Sequence, residues 1–239
     1  MKPMLKSSLH NIPDMIYIIP TKRGIGVELW GNHDDLNSLY EFISKFWHGE
    51  DDVNYPGSEN RDKLISGFSY EIRKAKDGSR LKRNTSHYSQ GKQLYYGSQI
   101  TWVDFLFSLT AIRYHMRFRE TNKFDISQML LLEFWLEKAM NTYDEADAKA
   151  LIGFIDDGLY GANSHIYQCM YSINLDFLRL GGGKRAFRQL PELLKRGVYY
   201  TAEYKEYEEF LRNEAKKLGC ESSELEVDDD DFNYENLKW

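Results

Sequence analysis

The run from Trp102 to Phe118 is apolar around most of its circumference: Trp102, Val103, Phe105, Leu106, Phe107, Leu109, Ile112, Tyr114, Met116 and Phe118. A helix of that kind offers no face suited to water, so it must cross the middle of a domain with other elements packed around it. The rest of the chain has to supply those covers. At 239 residues, 42% hydrophobic and 28% charged, it has the material to do so, as one large domain or two small ones.

The covers expected before residue 102 are mainly strands. MIYIIP (15–20) and IGVELW (25–30) flank the turn TKRG (21–24) and read as a β-hairpin, with Gly24 free to take a positive φ. Leu36, Leu39, Tyr40, Ile43, Phe46 and Trp47 then recur at helical spacing behind Asn32 or Asp34 as cap. Residues 48–63 read as a polar loop with Pro56-Gly57. The stretch 64–76 fits either period. Leu64, Ile65, Phe68 and Ile72 suit a helix, but the alternation of Phe68, Tyr70 and Ile72 with Ser69, Glu71 and Arg73, followed by the turn KDGS, favours a strand. Leu94 to Trp102 reads as a further strand with Gly97 as a bulge. Four antiparallel strands would then share one sheet with a helix on its face.

From residue 125 onward the pattern is helical. Breaks fall at Asp144, at Gly158 and Gly161, at Gly181-Gly182-Gly183, near Pro191 and at Gly219. The fold class expected is a helix-rich α+β, with a small antiparallel β-sheet in the N-terminal half packed against a mainly α-helical C-terminal half. The domain organisation expected is a loose leader (1–14), a single domain (15–220; sheet-bearing part 15–118, helical part 125–219), and a flexible acidic tail (221–239).

Several classes are disfavoured. Cys169 and Cys220 are the only cysteines, so there is no disulfide framework and no CxxC motif, and a reduced cytoplasmic setting fits. No stretch reaches the ~18–20 apolar residues of a membrane span, and the start, MKPMLKSSLHN, lacks the apolar region of a signal peptide. The spacings of GxSxG, HExxH, GxGxxG, Walker and EF-hand motifs are all missing. No metal and no cofactor is expected. His165 and Cys169 at i,i+4 lack a second pair, and Gly181-Gly182-Gly183-Lys184-Arg185 reads as a helix–helix joint rather than a phosphate loop.

Three groups of residues remain as candidate sites. Asp104, Ser108, His115 and Arg119 fall within ~60° on the central helix at 100° per residue. Ser108 and His115, however, are ~10 Å apart along the axis, too far for a nucleophile and its base, so the stripe reads as structural. Second, Arg113 and Arg117, with the cluster 73–92, make an anion or nucleic-acid site. In that cluster Arg73, Lys74, Lys76, Arg80, Lys82, Arg83 and Lys92 oppose the single Asp77. The plainer reading for Arg113 and Arg117 is pairing with acids near 133–147, and for 73–92 a solvated loop. Third, the tail combines Asp228, Asp229, Asp230 and Asp231 with Phe232, Tyr234 and Trp239, suited to docking on a partner or over the chain's own basic segment.

The opening MIYIIPTKRGIGVELWGNHDDLNSLYEFI resembles the start of an uncharacterised family of bacterial proteins, mainly over residues 15–47, with support from YGSQITWVDFLFSL (96–109). The resemblance implies a bacterial, cytosolic origin and transfers no functional residue. The expected function is a non-catalytic binding or regulatory protein acting through protein–protein contacts, with another protein or a second copy of itself as partner and no membrane. The alternative is a nucleic-acid- or nucleotide-binding protein, or an enzyme, using 73–92 with Arg113 and Arg117.

Overall fold

A computed structural model describes residues 16–47, 56–87, 91–226, 229, 232–234 and 237–239. The leader at 1–14, Tyr88, and Asp228, Asp230 and Asp231 of the acidic run lie outside those residues.

Strands β1 (Tyr17–Pro20) and β2 (Gly26–Gly31) form the first hairpin, with Tyr17 opposite Trp30. In its turn the Thr21 hydroxyl accepts the N–H groups of Ile25 and Gly26 at 3.1 and 3.2 Å. Gly24 is required there twice over. Its φ is +65°, and a Cβ would lie 2.0 Å from the ring of Tyr143. Helix α1 (His33–Ser44) starts from a reciprocal cap between Asn32 and Asp35 and buries Leu36, Leu39, Phe42 and Ile43.

The strand expected at 64–76 is a helix, α2 (Ser58–Lys76), which also takes in the end of the expected polar loop. Leu64, Ile65, Phe68, Ile72 and Ala75 are all buried at 2% exposure or less, while Tyr70, which completed the alternation, is 44% exposed. The 3.6-residue period therefore prevails because it buries five apolar side chains on one face. The second hairpin comes later, as β3 (Leu81–His87) and β4 (Gly91–Thr101). The four strands form one antiparallel sheet in the order β1-β2-β4-β3. Gly97 is no bulge. It pairs in unbroken register with Trp30 and Leu81, and a Cβ there would come within 2.7 Å of the Trp30 ring.

Strand β4 passes directly into α3 (Trp102–Met116), with the Thr101 hydroxyl accepting the N–H of Asp104 at 3.1 Å. Trp102, Val103, Phe105, Leu106, Phe107, Leu109, Ala111 and Ile112 are each no more than 1% exposed, as the all-round apolar pattern demands. Around α3 lie α4 (Lys123–Ala148), α5 (Ile166–Arg179), α6 (Lys184–Leu194) and α7 (Ala202–Leu218), with a π-helical turn at Phe154–Gly158. Asp144 breaks α4 with φ −155° and ψ 99°. Pro191 sits inside α6 rather than at its boundary. One hydrophobic cluster runs from Ile16 to Leu194, and a smaller one (Tyr17, Trp30 and Tyr95, with Trp135 of α4 against it) lies on the sheet's other face. The molecule is a helix-rich α+β fold. Among the described residues no helix is long and apolar enough to cross a membrane.

Candidate functional site

The polar stripe of α3 is turned inward. Burial, with Glu71 nearby, pushes the Asp104 carboxyl up to about 6, and Ser108 offsets part of that rise. His115 is buried in a centre that the sequence reading missed. Arg61 of α2, fully buried, donates from Nε to His115 Nε2 at 3.2 Å, and from its other nitrogens to the carbonyls of Gly161 (3.3 Å) and Pro56 (2.9 Å). Its guanidinium also lies 4.4 Å from the Tyr114 ring centre. Because Nε2 accepts, the proton of a neutral His115 is on Nδ1, 2.7 Å from the Phe46 carbonyl and 3.7 Å from Asp62. A carboxylate, an imidazole and a guanidinium do meet here. They meet as a closed knot whose donors are aimed at main-chain oxygens, which suits a structural role.

Arg113 donates to Glu133 Oε1 and to the Ile155 carbonyl, both at 2.5 Å, and Arg117 donates to Asp157 Oδ2 at 2.5 Å. Both guanidiniums thus have internal carboxylate partners. Arg119 caps the Lys45 carbonyl at 3.2 Å.

The basic segment is not the single solvated loop expected. Arg73, Lys74 and Lys76 form the last turn of α2, and Lys82 and Arg83 are consecutive on β3, so their side chains leave opposite faces of the sheet. Arg80 makes a two-pronged bond to Glu71 at 2.9 and 2.8 Å, and Ser98 donates to the same carboxylate at 2.7 Å. Burial raises Glu71, but those hydrogen bonds more than offset it and hold the carboxyl below its usual range. Arg83 lies over Tyr17 and Trp30, 4.7 and 4.4 Å from their ring centres, and burial lowers its guanidinium. Among the described side chains, three of the cluster gather around the exposed ring of Tyr70, with Arg73 and Lys74 each 5.3 Å from its centre and Arg80 at 6.0 Å.

Beside that ring a groove of about 460 Å³ opens between α1, α2 and α5. Tyr40, Trp47, Tyr70 and Tyr167 wall it, and Lys63 and Arg73 edge it. Gly67 of α2 lies in its lining, and a Cβ there would meet nothing within 4 Å. Lys63 and Tyr167 also line a second hollow of about 360 Å³, bounded by the chain's own Glu224, Glu226 and Asp229, so the two hollows adjoin. The tail is held there by side chains of α2 and α5. Gln168 Nε2 donates to the carbonyls of Ser223 (2.6 Å) and Leu225 (3.1 Å), and Asn60 Nδ2 donates to that of Ser223 (3.2 Å). Tyr171 donates to Asp229 and meets the Tyr234 hydroxyl at 3.0 Å. Burial, and then the charges of Asp104, Asp229 and Glu226, push the Tyr167 phenol up. Asn60 Oδ1 and Gln168 Oε1 are buried without a hydrogen-bond partner among the described residues.

None of Asn60, Gln168 or Tyr171 was singled out by the sequence reading. The available signal was Gln168, an amide among Ile166, Cys169 and Met170, where a buried polar group needs a partner.

The remaining candidates have structural roles. The Gly183 N–H donates to the Arg23 carbonyl at 2.6 Å, and Lys184 pairs with Asp144 at 3.1 Å, so the glycine run packs on the first hairpin. The Cys169 thiol donates to the Arg196 carbonyl at 3.2 Å, and burial pushes it up to about 12. Among the described residues no three His, Cys, Asp or Glu gather as a metal site.

No curated protein and no solved structure matches the chain. A family model described as a domain of unknown function (DUF6904) matches residues 16–239, from the first strand to the last residue, and the chain belongs to that family.

Proposed function

We propose that this is a non-catalytic binding protein that captures an acidic segment of a protein partner across the groove between α1, α2 and α5 and the hollow beside it. One observation carries the reading. Asn60 and Gln168 already grip the chain's own Ser223-Glu224-Leu225, where a 3-10 turn (Ser222–Glu224) passes into extended backbone, by the main-chain carbonyls of Ser223 and Leu225. Amide-to-carbonyl contacts recognise main chain rather than one sequence, and neighbouring hollows then select side chains. The adjoining groove supplies that selection through aromatic walls and the cations Lys63 and Arg73. The oxygens of Asn60 and Gln168, without a partner among the described residues, are acceptors that the N–H groups of a better-registered peptide would satisfy.

The test is a titration of a labelled peptide of residues 221–239 into chain lacking those residues, once that chain is shown to unfold cooperatively. Saturable binding is expected, weaker on full-length protein, and weakened about tenfold by Gln168→Ala, as for loss of charge-neutral hydrogen bonds. Absence of saturable binding to the tail-less chain overturns the reading.

A second reading, single-stranded nucleic acid, is favoured by the exposed Tyr70 with its ring of cations. Oligonucleotide binding that falls steeply with salt and is lost in Tyr70→Ala would support it, and no binding at low salt would dismiss it. For setting, we infer a bacterial cytoplasm. The family resemblance of residues 15–47 supports the first word, and two free cysteines, one with a buried inert thiol, support the second.

A further inference from the structure

A different surface carries an inference independent of the groove. Helix α4 packs one side on the first strand and on α3, burying Met129, Leu132, Leu136, Ala139 and Met140. Its opposite side carries Ile126, Leu130 and Phe134, which are 49%, 58% and 54% exposed. At 100° per residue these three share an arc of ~80° with Lys123 and Glu137, so one solvent-facing stripe reads cation, three apolar side chains, anion. An uninterrupted apolar row of this kind is the mark of an interface rather than of scattered surface hydrophobics. Neither Lys123 nor Glu137 forms an ion pair with a described residue, although Arg113, Arg117, Lys184 and Arg188 nearby all do.

We propose that this stripe is a two-fold interface with a second copy of the chain, α4 running antiparallel to α4. The order of charges selects both the partner and the direction. A two-fold axis at Leu130 sets Leu130 on Leu130, Ile126 on Phe134, and Lys123 against Glu137 of the other copy, twice. The parallel arrangement would set lysine on lysine and glutamate on glutamate. The contact is isologous, so it closes at two copies and does not propagate.

Sedimentation of the full chain over a range of concentrations tests this. A dimer is expected, and Leu130→Glu yields a monomer with unchanged helical content. Lys123→Glu alone and Glu137→Lys alone each weaken association roughly tenfold, because two attractive pairs become repulsive, and the double reversal restores it to within about threefold. Since both residues are exposed, the reversals leave the fold intact and keep the test open even if Leu130→Glu misfolds. A wild-type monomer at ~100 µM, or single reversals whose effects add in the double variant instead of cancelling, overturns the proposal.

Discussion

Arg61 shows how a buried charge is made tolerable. Its nitrogens reach three acceptors in different directions, the His115 ring and the carbonyls of Gly161 and Pro56, and its flat face rests on Tyr114. Arg61→Ala would leave His115 Nε2 and two carbonyls without their donor, so a loss of about 3–5 kcal/mol in urea unfolding is expected. Arg61→Lys recovers little of it, because one ammonium cannot span three separated acceptors. Asp104 behaves in the opposite sense. Its carboxyl titrates near 6 in the folded chain against 3.8 as the ordinary value, so the folded state holds the proton more tightly. Stability is therefore lost as pH rises through that interval, and Asp104→Asn removes the loss. Variant and wild type should differ little below pH ~4, and the variant should gain about 3 kcal/mol above pH ~6, measured as unfolding free energy at each pH. The sequence made the Arg113–Glu133 kind of pairing readable, because both partners are charged side chains. Arg61 was not readable, because most of its partners are main-chain oxygens whose position only the finished fold defines.

Among elements, α2 is the instructive one. Residues 68–73 alternate like a strand, and the helix is visible only when Leu64, Ile65 and Ala75 are counted with them. Gly67 weakens the helical signal further, although in the folded chain it faces open space. Replacing it should separate stability from binding. Gly67→Ala is expected to stabilise the chain by about 0.5–1 kcal/mol, the usual gain of alanine over glycine inside a helix. Gly67→Leu should fold as well and fill the groove, so an acidic peptide reaching past Tyr167 loses affinity while thermal unfolding does not move downward. A Gly67→Leu chain with full affinity would place the ligand elsewhere. The hairpin of 15–30 and the all-round apolar helix at 102–118 were readable because each obeys one period throughout. The groove was not readable, since its walls come from residues 40, 47, 70 and 167, which share no local pattern.

At the scale of the whole molecule, the apolar cluster from Ile16 to Leu194 joins the sheet to α3, α4, α5 and α6 without a gap. Near-ultraviolet and far-ultraviolet melting curves should therefore superimpose, and two resolved transitions would show that the sheet-bearing and helical parts part company. The architecture was legible because a helix needing cover on every side admits few solutions. The way distant segments close over one another was not. The turn of the first hairpin is the clearest case: the Arg23 carbonyl receives both the Tyr143 hydroxyl and the Gly183 N–H, and the Arg23 side chain reaches the Gly181 carbonyl 158 positions away. On a ribosome this corner is made early and fastened late. Until residue 183 has followed it out, the first hairpin lacks these tertiary fastenings and is exposed to mispairing, so its closure waits on segments far along the chain.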